Sequence, residues 1–389
     1  MKRWVKRVGY YKLHCPKERA DDWTVIIDAS IQLGSQKALV IIGCRSSSLQ
    51  FGRAPTLQDF EPLSLKVVNK LTAKVVEESL KTVSESIGGI SSICSDRGSD
   101  ILLGIKNFKS TNPNTRQICD TAHFIANRLQ RKLQKNDRWI SFRNEVTQSR
   151  RKLQHSLAAG AMAPSPREKA RFMNIDSLVE WALNMLVLID DLETVIGPNI
   201  ALDQKFRDEL TWLKGYRSEI IHWKQLTLIG KAARNIVRLE GIHPMISEGF
   251  VNSLCELDLT VNELPFADNV TEFLMEQAKG LKIGERFLGT SEPIEAMFGK
   301  MKALEKDQRA FGFTSLTLVT LAAVGPLNES TVRAAMEEVK HSDLEKWHKN
   351  EIGETVQKQR QHIKKLVFQT LDKVGRKIGR FFKGEKTVV

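Results

Sequence analysis

Trp23-Thr24-Val25-Ile26-Ile27-Asp28 and Ile90-Ser91-Ser92-Ile93-Cys94-Ser95-Asp96 are two short apolar runs, each ending on an aspartate. Runs of this length, rich in β-branched residues and bounded by turn formers, read as buried strands. Working outward, 23–28 and 37–43 (Lys37-Ala38-Leu39-Val40-Ile41-Ile42-Gly43) flank Gly34-Ser35, the pattern of a hairpin. Leu63 to Val68 reads as a third strand, followed by an amphipathic helix at about 72–84 with Val75, Val76, Leu80 and Val83 on one face. The strand 90–95 is entered through Gly88-Gly89; a helix at 98–107, a strand from Thr115 to Cys119 and a helix from Thr121 to Lys135 follow. A hairpin and then strand–helix–strand–helix predicts a mixed α/β (α+β) domain, with a mixed five-stranded sheet flanked by helices.

The pattern changes from 137 to 285. Strand signals vanish and helical spacing takes over, with Leu178, Trp181, Ala182, Met185 and Leu186 in one segment and Phe206, Leu210, Leu213, Ile220 and Trp223 in another. Breaks at Ala163-Pro164-Ser165-Pro166, Gly197-Pro198, His243-Pro244 and Leu264-Pro265 divide the segments. The expected organisation is a basic segment at 1–22, the first part of the α/β domain at 23–136, an all-helical insertion at 137–285, the second part of the domain at 286–350, and a basic amphipathic helix at 351–389. Residues 355–389 carry ten Lys and Arg against two acids. Ile363, Leu366, Val367, Leu371, Val374, Ile378 and Phe382 recur there at helical spacing.

The 389 residues carry a formal net charge of +13 and a sequence pI near 9.5. Such a surplus calls for a polyanionic partner, nucleic acid before an anionic membrane. The five cysteines lack CxxC spacing, which argues against a zinc ribbon and reads as reduced thiols. No stretch approaches 18 uninterrupted apolar residues, and Met1 to Lys12 lacks the apolar core of a signal peptide. The expected setting is cytoplasmic or nucleoid-associated, with no membrane.

Asp28 and Asp96 close their strands, and Glu295 lies in Thr290-Ser291-Glu292-Pro293-Ile294-Glu295-Ala296-Met297-Phe298-Gly299-Lys300-Met301-Lys302, just inside a helix. Acids on separate elements that converge are what two Mg²⁺ ions need to clamp the attacking and leaving oxygens of a phosphodiester. Glu292 competes with Glu295 for the third position.

This order of acids, strands and helical insertion resembles DDE-type transposases with an RNase H-like catalytic domain. Cys119-Asp120-Thr121-Ala122-His123 is similar to the [C/D]-x-x-H motif of hobo/Activator-type, Mutator-like and several bacterial insertion-sequence transposases. Thr290 to Lys302, with Ala310-Phe311-Gly312-Phe313 beyond it, is similar to the third-acid helix of the bacterial enzymes. Ser291 stands where that family usually has Asn, and the likeness spans about 23 to 325.

The resemblance implies Mg²⁺-dependent DNA strand cleavage and strand transfer, with Asp28, Asp96 and Glu295 as catalytic and metal-holding residues for two Mg²⁺ ions (Mn²⁺ as a substitute). It implies transposon ends and target DNA as partners and a homodimer or higher oligomer. Asp120 and His123 would support the site. Lys300, Lys302, Arg138, Trp139, Lys364, Lys365, Arg376, Lys377 and Arg380 would contact DNA. Only 27 residues precede Asp28, too few for the end-recognition domain such enzymes carry at the N-terminus. The expectation is a truncated frame, or end recognition by the insertion and basic tail. The alternative is a truncated or domesticated DNA-binding protein without strand-transfer activity.

Overall fold

The computed structural model describes residues 2–29, 36–50, 52–164, 171–190, 206–306, 317–353 and 360–371. Five strands form one sheet: β1 (Trp23–Ala29), β2 (Lys37–Arg45), β3 (Glu61–Val68), β4 (Ile90–Ser95) and β5 (Arg116–Cys119), in the order β3-β2-β1-β4-β5. β1 pairs antiparallel with β2, and β2 with β3; β1 pairs parallel with β4, and β4 with β5. This is the mixed five-stranded sheet expected, in an order consistent with an RNase H-like fold. β1, β2 and β3 run one or two residues beyond their apolar runs, β4 coincides with its run, and β5 begins one residue later than expected.

Side chains alternate between the two faces with period two. Trp23, Val25, Ile27, Leu39, Ile41 and Ile93 form one core with α2 (Ala73–Ile87) and α3 (Ser99–Thr111). Thr72 caps the start of α2 by accepting from the Val75 amide, and Gly88, at φ 100°, ends it in the left-handed region. On the opposite face Ile26, Val40, Ile42 and Cys94 pack against α10 (Glu292–Lys306), α11 (Thr317–Ala322) and α13 (His341–Trp347). Burying an isoleucine of this kind contributes about 2 kcal/mol, so slipping β1 by one residue would turn both cores inside out.

Residues 1–22 hold an element that composition hid. α1 (Lys2–His14) lies along α11 and α12 (Glu329–Glu338). Val8 is fully buried, and a Cβ at Gly9 would stand 1.8 Å from the Leu318 carbonyl oxygen, so glycine permits this close crossing. Lys12 is buried too, its ammonium donating to the carbonyls of Ala322, Val324 and Gly325 at 2.8–3.0 Å. Those three bonds occupy all of the ammonium's donors and satisfy carbonyls where α11 ends.

α4 (Thr121–Gln134) leads from β5 into the helical region: α5 (Asp137–Leu153), α6 (Arg171–Asp190), α7 (Arg217–Glu240), α8 (Ile246–Leu254) and α9 (Leu264–Ala278). These helices share one core with α4, built round Trp139, Phe142, Tyr216 and Trp223. The chain returns to the α/β part through an antiparallel bridge between Ile242 and Phe287. At the C-terminal end, 360–371 is helical with every residue exposed.

Candidate active site

The parallel register of β1 and β4 aligns Ile27 with Ser95, so Asp28 and the residue just past β4, Asp96, fall side by side. Both lie at the C-terminal ends of central parallel strands, where strand order reverses; open α/β sheets bind ligands at such points. Even-numbered positions of β1 face α10, so Asp28 points towards the helix that carries Glu295. Asp28 accepts the Ala29 amide at 2.7 Å, and Asp96 accepts the Gly98 amide at 2.9 Å.

His123, in the first turn of α4, joins the set. Its Nε2 lies 2.7 Å from Glu295 Oε1, and its Nδ1 lies 4.0 Å from Asp96 Oδ2. The Ser291 hydroxyl also donates to Glu295, at 3.3 Å. Asp96 and Glu295 thus flank one histidine, and Asp28 lies within electrostatic reach of all three, although 68 and 199 residues separate the acids in the chain. Burial, and after it the charge of Asp96, pushes the Asp28 carboxyl up to about 7; the Ala29 amide and His123 oppose this, and Glu295 adds to it.

Asp120 sits beneath the site, fully buried. One of its oxygens accepts the His123 amide and so caps α4; the other accepts the Ser291 amide before α10. The Asp120 amide donates to the Ser95 carbonyl, and the Thr121 amide to that of Gly289. One side chain therefore ties the end of β4 to the starts of α4 and α10, the elements that carry Asp96, His123 and Glu295. Burial raises its pKa, and His123 and these hydrogen bonds act in the opposite direction. With both oxygens bonded beneath the site, Asp120 is a positioning residue.

Glu292 faces away from this cluster. Its carboxylate pairs with Arg238 of α7 at 3.1 Å, which fastens α10 to the helical region. The geometry selects Glu295 over Glu292 as the acid beside Asp28.

One residue expected at a DNA surface, Trp139, is placed otherwise, and a second, Arg138, is already engaged. Trp139 is 5% exposed and packs edge-on against Trp223, so its ring is unavailable for stacking on a base. The sequence pattern Arg-Trp cannot distinguish a presented ring from a core ring. Arg138 is exposed, but it pairs with Glu219, donates to the Gly215 carbonyl and lies over the Tyr216 ring, so a phosphate would have to compete with these contacts. Lys300 and Lys302 are exposed on α10, and Lys364 and Lys365 are exposed on the 360–371 helix. Arg376, Lys377, Arg380 and the Ala310-Phe311-Gly312-Phe313 motif lie outside the described residues.

The donors fit Mg²⁺ in kind, since all three acids offer oxygen. The raised Asp28 carboxyl fits as well, because a cation relieves an acid held against ionisation by burial and by neighbouring acids. Among the described residues no three His, Cys, Asp or Glu side chains form a group able to hold one ion. Mg²⁺ sites that act on phosphates use one or two carboxylates together with water and substrate oxygens. No protein-family model and no curated protein matches this chain.

Proposed function

We propose that this protein is a DDE-type transposase, cleaving DNA and transferring the resulting 3′ end to a target by Mg²⁺-dependent phosphoryl transfer. The observation that carries the reading is the meeting of Asp28, Asp96 and Glu295 at His123 beside the switch point of the sheet. Asp28 and Asp96 would hold one ion, and Asp28 and Glu295 the other. Bound there, Mg²⁺ would supply Lewis-acid polarisation of the scissile phosphate and a lowered pKa for the attacking hydroxyl.

The chain's own residues orient this chemistry. His123 and Ser291 hold Oε1 of Glu295 from two sides. Asp120 keeps α4 and α10 at a fixed separation, so that the carboxylates need little rearrangement when a phosphate arrives. The surplus of Lys and Arg provides salt-dependent contacts to the DNA backbone, and the DNA would be engaged by a dimer or higher oligomer.

The test is strand transfer by the full chain on DNA bearing the element's ends, with Mg²⁺ or Mn²⁺. Asp96→Ala is expected to abolish transfer while DNA binding persists. Unchanged transfer by Asp96→Ala would reject the assignment. DNA binding by the wild type with neither cleavage nor transfer would favour the alternative, a transposase-derived DNA-binding protein.

A further inference from the structure

α4 carries His123 at one end and, further along, Arg128, Arg131 and Lys132, all exposed. These three cations line an open groove of about 300 Å³ between α4 and α9, closed on the other side by Pro265, Phe266 and Asn269. Phe266 is 5% exposed and gives the groove an apolar floor. Phe124 and Phe273, stacked at 3.8 Å, fix the two helices side by side nearer the catalytic end.

None of the three cations has a carboxylate partner among the described residues; Arg128 lies instead over the Phe124 ring at 5.3 Å. Arg131 and Lys132 fall in the last turn of α4, where they favour the helix dipole. That accounts for two of the charges. Arg128 precedes that turn, and an unrelieved like-charge pair with Lys132 at i,i+4 costs the helix a few tenths of a kcal/mol. The open groove, its apolar floor and three unpaired cations together suit an anion drawn from solution.

We infer that the α4–α9 groove is a DNA-backbone site, holding phosphates of the strand that runs from the catalytic acids along α4. It rests on the reading of those acids as a centre that acts on DNA. At a rise of 1.5 Å per residue, Arg128 and Lys132 lie about 8 and 14 Å along the helix from His123. The contacts are to backbone, so binding here should be indifferent to sequence.

The test is fluorescence anisotropy of a short labelled duplex with the full chain, in EDTA, over about 50–200 mM salt. The triple variant Arg128→Gln, Arg131→Gln, Lys132→Gln is compared with a charge-matched triple, Lys70→Gln, Lys74→Gln, Lys106→Gln. All six positions are exposed, and matching thermal midpoints establish that both variants fold. Each phosphate contact contributes about 0.9 to the slope of log K against log salt. The groove variant is therefore expected to lose about one to two from the slope, with the control near wild type. Equal slopes in the two triples, or no DNA binding by the wild type, would overturn the inference. Because metal is withheld, a chain that binds through this groove and never cuts DNA would fail the proposed reaction alone.

Discussion

Asp28 is a carboxyl whose surroundings resist its ionisation, and that resistance has a measurable sign. An unfolded aspartate titrates near about 3.9, whereas burial and Asp96 bring this one to about 7. Between those values the native state binds more protons than the unfolded state. Its contribution to stability therefore falls as pH rises, by at most about 1.4 kcal/mol per pH unit. Urea unfolding in EDTA is expected to show wild type losing more stability than Asp28→Asn between about pH 4 and 7. Parallel pH profiles for the two proteins would show that Asp28 titrates normally. The aspartates were legible in the sequence because each closes an apolar run. The 172-residue separation between His123 and Glu295 hides their contact; His123 stood out only through the likeness of Cys119-Asp120-Thr121-Ala122-His123 to a transposase motif, which says nothing of Glu295.

At the scale of elements, strand legibility followed burial. β1, β2 and β4 are buried on both faces and write continuous β-branched runs into the sequence. α1 left no such mark: its Lys and Arg read only as a basic segment, while its burial depends on Val8 and on a crossing that Gly9 permits. Gly9→Ala is expected to cost about 1–3 kcal/mol in chemical denaturation, because the added methyl meets backbone that has nowhere to move. An unchanged midpoint would mean that α1 does not cross α11 this closely. Trp139 illustrates the opposite error, in which a residue suited to stacking on DNA fills a core. Trp139→Ala is expected to lower stability by about 3–5 kcal/mol while leaving the salt dependence of DNA binding as it was. Weakened binding at full stability would return Trp139 to the surface.

At the scale of the whole molecule, α4 joins the two architectures. α4 belongs to the site through His123 and to the helical core through Phe124, Ile125, Leu129 and Leu133. Arg238 reaches from α7 to Glu292, so the helical region also braces the helix that presents Glu295. Much of the long interval between Asp96 and Glu295 is thus a helical module that also holds the helix carrying Glu295. The existence of that module was legible from the loss of strand signals after residue 137; its hold on α10 was not, because ion pairs between distant helices leave no periodic trace. The most direct measurement of the central claim is single-turnover DNA cleavage by the full chain with Mg²⁺, comparing Glu295→Gln with Glu292→Gln beside Asp28→Asn and Asp96→Asn. Asp28→Asn, Asp96→Asn and Glu295→Gln are expected to fall to background, with Glu292→Gln retaining cleavage. Loss in Glu292→Gln with cleavage kept in Glu295→Gln, or a wild type that never cuts DNA with metal present, would contradict the account.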